Sequence, residues 1–207
     1  MNRVAVVTGG SGGLGSAICR RLEQAHYEVR SWSRSTGVDA ADEQQVENGA
    51  DQLPRWDALV NNAAVLIPAA FAETRAADWD ETIRSGLRSA FLCSRAAFRR
   101  MRPGGAIVMV SSLSGYPGAE KFAGMAAYVA AKSALYGLTE VLAVEGRPLG
   151  IRVNAISPGS IRTPMLERSG APREPAFDPE DVARMVAWLA GPDSAPLTGA
   201  NLRLEPR

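Results

Sequence analysis

Short runs that are apolar throughout alternate along this chain with stretches carrying apolar residues at helical spacing, and that alternation constrains the fold more than any other feature. VAVV (Val4 to Val7) ends at Thr8-Gly9-Gly10, and Leu14, Ile18 and Leu22 follow at helical intervals. EVRSW, ALV (Ala58 to Val60, stopping at Asn61-Asn62), AIVMV (Ala106 to Val110), IRVNAI (Ile151 to Ile156) and ANLRL read as further strands. Between them lie EQQVENGADQL, with Val46, Ala50 and Leu53 inward, and a helix from about Met125 to Glu145. A last helix is well punctuated: Asp178 as N-cap, Pro179 at its first position, Glu180 and Asp181 in its first turn, and Val182, Val186 and Leu189 on its inner face. Strands apolar on both faces and separated by helices predict an α/β fold with a doubly wound parallel sheet. At 207 residues and 46% hydrophobic, the chain is expected to form a single domain over residues 1–207.

TGGSGGLG, from Thr8 to Gly15, falls between the first strand and the first helix, where backbone N–H groups and the positive helix end can cradle a pyrophosphate. Gly9, Ser11, Gly12, Gly13, Leu14 and Gly15 are therefore candidate dinucleotide-binding residues. The residue at the end of the second strand sorts such cofactors, a carboxylate accepting from a ribose 2′-OH and an arginine accommodating a 2′-phosphate. Here the stretch is SWSRS: Ser33 stands at the carboxylate's place and Arg34 follows, which favours NADP(H) over NAD(H). The competing reading of Arg34 is a solvated surface charge, since Gly12 beside the loop offers no second cation.

Charge narrows the partners. A formal net charge of +1 recommends neither nucleic acid nor an anionic membrane, leaving small-molecule chemistry as the expectation. The apolar run at MNRVAVVTGG is too short for a signal sequence, and an eighteen-residue apolar stretch is absent, so neither export nor membrane anchoring is expected. Cys19 and Cys93 lie in helical-looking sequence without metal spacing and read as reduced thiols, which suits a cytoplasmic protein; no metal site is expected. The single histidine, His26, reads as the end of the first helix.

WDETIRSGLRSAF reads as a helix with Trp79, Ile83, Leu87 and Phe91 along one apolar stripe. Gly86 sits in its middle, on the buried side between Ile83 and Ala90, at a cost of about 1 kcal/mol against alanine.

Taken in order, TGGSGGLG, NNAA, SSLSG, YVAAK and NAISPGSIRTP resemble the classical short-chain dehydrogenase/reductase family over nearly the whole chain. The resemblance implies a Rossmann-like domain, a nicotinamide cofactor, hydride exchange with a small-molecule carbonyl or alcohol, and a homo-oligomer, dimer or tetramer. Tyr128 and Lys132 match the family's YxxxK pair, which an i, i+4 spacing places on one helix face. A lysine ammonium and an oxidised nicotinamide beside a phenol are expected to pull its pKa down from about 10 toward the working range. The resemblance makes Tyr128 the proton donor or acceptor, has Lys132 bind the nicotinamide ribose, and has Ser112 orient the substrate oxygen. Ser112 is preferred to Ser111 and Ser114 because it comes directly off the strand end. Asp39 resembles the acidic residue that meets the adenine, Asn62 the wall of the adenosine site, and Ile161 with Thr163 the carboxamide contact.

Four departures stand out. Four residues separate Arg34 from Asp39, too few for the dozen or more of a parallel crossover. The usual helix between strands 2 and 3 is thus missing, predicting about six strands with the Val29 strand near an edge. The Pro164–Phe177 segment, with Arg168 and Arg173, predicts a small lid, its arginines read as solvated loop charges. NLRLEPR replaces the family's glycine-ended last strand, and Gly86 aligns with the family's catalytic asparagine. Gly86 either keeps that helix kinked or marks impaired catalysis, so an oxidoreductase stands beside a catalytically impaired NADP(H)-binding sensor or assembly module.

Overall fold

The alternating strands build one parallel sheet. The computed structural model describes residues 3–53, 55–170 and 174–205. Its strands are β1 (Arg3–Thr8), β2 (Tyr27–Trp32), β3 (Trp56–Asn61), β4 (Met101–Val110), β5 (Arg152–Pro158) and β6 (Asn201–Leu204). Its helices are α1 (Gly13–Gln24), α2 (Glu43–Asp51), α3 (Ala76–Ile83), α4 (Ser89–Arg100), α5 (Ala126–Gly146), α6 (Pro164–Ser169) and α7 (Pro179–Ala190). The six strands lie in the order β2-β1-β3-β4-β5-β6, each pair parallel.

Side chains alternate across the pleat, which divides the core in two. Val6, Leu59, Ile107, Met109 and Val153 pack with Val46 of α2, Cys93 of α4 and Leu135 of α5. Val7, Val60, Val108 and Ile156 pack on the other face with Ile18 and Leu22 of α1 and Val182 and Val186 of α7. Covered on both faces, the strands have to be apolar throughout, which is the pattern the sequence carries.

The shortened crossover resolves as expected. Arg34–Thr36 forms a single 3-10 turn ended by Gly37 at φ 86°, and Asp42 caps α2 by accepting from the Gln45 N–H at 2.9 Å. Through α2 the chain then crosses past β1 to β3, with no strand or further helix before α2, leaving β2 at the sheet edge. Glu43 and Glu47 of α2 pair with Arg95, Arg99 and Arg100 of α4, which holds α2 against its neighbour.

The apolar stripe proposed for Trp79 to Phe91 does not form. Between α3 and α4 the backbone passes through a π-helical stretch, Arg84–Arg88. Its wider turns take more residues than 3.6, so every position beyond it is rotated relative to an α-helical count. Thr82, Gly86, Ser89, Ala90 and Cys93 face inward, whereas Phe91 is 45% exposed. The π turn is centred on Gly86.

A Cβ at Gly86 would meet the Ala131 Cβ of α5 at 3.5 Å, an ordinary contact. Gly86→Ala should accordingly fold and gain up to about 1 kcal/mol of stability from reduced unfolded-state entropy. Thermal unfolding checks this; a melting temperature lowered by several degrees would show that the π turn requires glycine.

Candidate active site

The sheet order sets the position of the site. From β1 the chain winds outward to β2, and it returns on β1's other side as β3, so the carboxyl ends of β1 and β3 flank a crevice. There Thr8 Oγ1 accepts the N–H groups of Asn62 and Ala63, each at 3.0 Å. Asn62 Nδ2 donates back to the carbonyls of Thr8 and Gly9 at 3.1 and 3.2 Å. Asn62, expected as a wall, is thus also the clamp of the glycine loop.

Gly9 has φ 65°, a left-handed value that glycine adopts without strain, and a Cβ on Gly15 would lie 2.1 Å from the Gly9 carbonyl oxygen. The N-cap of α1, Gly12, has no side chain to satisfy the first-turn N–H groups. A tight cradle ending in unsatisfied donors at a positive helix end fits a diphosphate. Gly9, Ser11, Gly12, Gly13, Leu14 and Gly15 line one wall of a cavity of about 970 Å³, and Arg34, Asp39, Asn62, Ser112, Tyr128, Lys132, Ile161 and Thr163 line the rest with others. The structure brings every candidate residue to this one space.

At one end, the hydroxyls of Ser11, Ser33 and Ser35 form a triangle with edges of 3.0–3.1 Å beside Arg34. Arg34 reaches the Glu81 carboxylate at 3.3 Å, and Arg84 bonds both Glu81 and Asp39, at 2.8 and 3.0 Å. Burial works against the charge on Asp39, but the Ala41 N–H and the Arg84 guanidinium hold its carboxyl below the ordinary value. Ser35, Glu81 and Arg84 escaped the sequence reading. Ser35 adjoins Arg34 and could have been included, whereas Glu81 and Arg84 arrive from a distant helix without a local signal.

At the other end, α5 presents Tyr128 and Lys132. A Cβ on Gly115 would stand 2.7 Å from the Lys132 carbonyl carbon, so only glycine lets the turn after β4 press this closely on α5. Ser111 Oγ donates to the Lys132 carbonyl at 2.8 Å and Ser133 Oγ to the Gly115 carbonyl at 2.8 Å, fastening the contact. Ser111 is thereby committed to the scaffold, and Ser112, whose oxygen accepts the Ser114 N–H at 3.2 Å, lines the cavity together with Tyr128.

The expected lowering of the Tyr128 pKa is not found in the protein alone. Burial pushes the phenol up from 10, and the Ser112 hydrogen bond offsets that only in part. Lys132 is 3% exposed and donates from Nζ to the Val110 carbonyl at 2.7 Å, with Nζ 5.6 Å from the Tyr128 ring centre. Burial pushes its pKa down to about 8.

Thr163 packs against Gly13, where a Cβ would meet its methyl at 3.1 Å, so the loop after β5 closes onto the glycine loop. The proposed lid contains the short helix α6, and its Met165, Leu166 and Arg168 line the cavity. Arg173 lies outside the described residues. From the last strand, Arg203 stacks on Tyr116 at 4.6 Å and lines the cavity with Glu205, a contribution that sequence order did not suggest. His26, at φ 61°, follows the end of α1 and stands apart from this lining. Cys19 and Cys93 are free thiols. Among the described residues, no helix is long and apolar enough to cross a membrane and no His, Cys, Asp or Glu group could hold a metal ion.

Comparison with known proteins agrees with this arrangement. A family model described as enoyl-(acyl carrier protein) reductase matches residues 16–205. The acetoacetyl-CoA reductase of Rhizobium meliloti is 36% identical over 98% of this chain and 96% of its own length. The cyclic-di-GMP-binding biofilm dispersal mediator protein of Escherichia coli is 33% identical over 96% and 93%. A short chain dehydrogenase from Burkholderia cenocepacia, solved in complex with NADP, superposes with a TM-score of 0.88 at 30% identity, covering 98% of this chain and 96% of that one.

The buried Lys132 makes stability depend on pH. Its pKa of about 8 lies below the ordinary 10.5, so the unfolded chain binds more protons between those values and folding is favoured as pH rises through that window. Wild type should therefore gain stability relative to Lys132→Met as pH rises from about 8 to 10.5, as read by melting temperatures across a pH series. A constant difference would contradict the depressed value.

Proposed function

The chain belongs to the short-chain dehydrogenase/reductase family, and on that premise we propose that it is an NADP(H)-dependent oxidoreductase that reduces a carbonyl compound, or oxidises the alcohol, with Tyr128, Lys132 and Ser112 as catalytic residues. The observation that carries this reading is that Ser112, Tyr128 and Lys132 line the same cavity as the diphosphate-sized glycine cradle. The chemistry that a nicotinamide supplies there is the gain or loss of hydride. Ser112 holds the substrate oxygen. Tyr128 gives its proton to the developing alkoxide, or takes the alcohol's proton in the reverse direction. Once the proton has gone, the Lys132 ammonium offsets the charge left on the phenolate.

Arg34 and the Ser11, Ser33 and Ser35 hydroxyls supply charge-assisted and neutral donors for a 2′-phosphate, which supports NADP(H). Asp39 with Asn62 serves the adenosine end, and Ile161 with Thr163 the nicotinamide end. For the substrate, Leu113, Met125, Met165 and Leu166 offer an apolar wall, and Arg168 offers positive charge. That lining suits a carbonyl compound with an apolar body and an anionic part, such as the 3-oxoacyl thioester class that the Rhizobium relative's name specifies.

The same reading includes a homo-oligomer, supported by Val141 and Val144 of α5, exposed by 48% and 60%. It includes a cytoplasmic location, supported by the free thiols. Light scattering on the purified protein should give the mass of a dimer or tetramer, and a monomer at working concentration would remove that part.

The main test is NADPH consumption against a panel of carbonyl compounds, with 3-oxoacyl thioesters first. Tyr128→Phe should lose about 10²–10⁴ in rate while binding NADPH nearly as before. Retained activity in that variant would overturn the assignment. NADPH binding without turnover of any compound would instead favour a binding module. Arg34→Ala should narrow the preference for NADPH over NADH by roughly tenfold, measured by titration.

A further inference from the structure

Glu81 stands between two guanidinium groups. Its Oε2 accepts from Arg84 Nε at 2.8 Å and its Oε1 from Arg34 Nη1 at 3.3 Å. Arg84 is also tied to Asp39 at 3.0 Å, whereas the Arg34 contact is long and its side chain is 66% exposed. Arg34, Glu81 and Arg84 line the cavity at the end where Ser33 and Ser35 present their hydroxyls. Arg34, 47 positions from Glu81 in the chain, and Arg84, on the same helical segment as Glu81, thus converge on one carboxylate beside a cluster of neutral donors.

We propose that Glu81 is a specificity-determining residue: it is an internal counter-anion on the Arg34–Arg84 pair, and a 2′-phosphate on the cofactor binds by displacing it. The inference rests on the NADP(H) reading above. A phosphate carries up to two charges and three acceptor oxygens, so it outcompetes a single carboxylate for two guanidiniums. Arg84, released from Glu81, becomes the second cation that Gly12 cannot supply. A cofactor with a free 2′-hydroxyl brings no charge to exchange and leaves the Arg34–Glu81 contact in place. Glu81 therefore weakens the binding of phosphorylated cofactors selectively, first by occupying Arg34 and then by like-charge repulsion of the bound phosphate.

A brace that merely holds the two arginines in position would act with the opposite sign, so the direction of one mutational effect separates the two roles. Glu81→Gln keeps the side chain's size and removes its charge. Titration of the purified protein with adenosine 2′,5′-bisphosphate, 5′-AMP, NADPH and NADH reads binding without turnover. Glu81→Gln should tighten NADPH and the bisphosphate by roughly three- to tenfold and leave NADH and 5′-AMP within about twofold. The gain should shrink when the substitution is made in an Arg34→Ala background, because half of the contested pair is gone. Unchanged or weakened NADPH binding in Glu81→Gln, in a wild type that prefers NADPH, overturns this inference alone. A wild type without preference for the 2′-phosphate overturns the cofactor reading and this inference with it.

Discussion

The hydrogen bonds between Thr8, Asn62 and the start of the glycine loop are the constraint on which the rest of the site depends. In a parallel sheet the ends of β1 and β3 are neighbours only because the winding reverses between them, and those bonds close that junction. With both loop carbonyls bound to Asn62, the loop has one shape, and that shape aims the first turn of α1 into the cavity. The donors are then in place before any ligand arrives, and their ordering cost has been met in folding.

A second contact of the same kind fixes the opposite wall. The approach of Gly115 to the backbone at Lys132, with the Ser111 and Ser133 hydrogen bonds, seats α5 against the end of β4. Tyr128 and Ser112 come from different elements, so their place in one cavity depends on that seat. Lys132 lies behind them with one carbonyl partner, and its lowered pKa records what burial of an ammonium costs. Such a cost is accepted where a positive charge is needed at a defined position.

The adenosine end is built from what remains after a crossover is lost. The 3-10 turn at Arg34–Thr36 leads straight toward Asp39, and β2 becomes an edge. The charges there are organised by the far side of the cleft: Glu81 and Arg84, at the junction of α3 and the π turn, reach across to Arg34 and Asp39. The π turn matters here as well as at Gly86, because it sets the rotation of the helix on which both residues stand.

Local pattern was enough for much of this protein. Continuous apolar runs specified strands covered on both faces, Asp178-Pro179 marked the start of α7, and the four residues between Arg34 and Asp39 excluded a crossover helix between those two residues. Ordered motifs also named residues that prove to share one cavity, from Gly9 through Tyr128 to Thr163. Pattern failed at the Trp79–Phe91 stripe, where an assumed 3.6-residue period met a π turn, and it did not register the burial that raises the Tyr128 pKa in the protein alone. It was silent on Glu81, Arg84, Arg203 and Glu205 as cavity residues. Periodicity and spacing are properties of neighbours in the chain, so the sequence determined the elements and their order by itself. Burial and the convergence of distant charges depend on how those elements pack, and those only the tertiary structure decided.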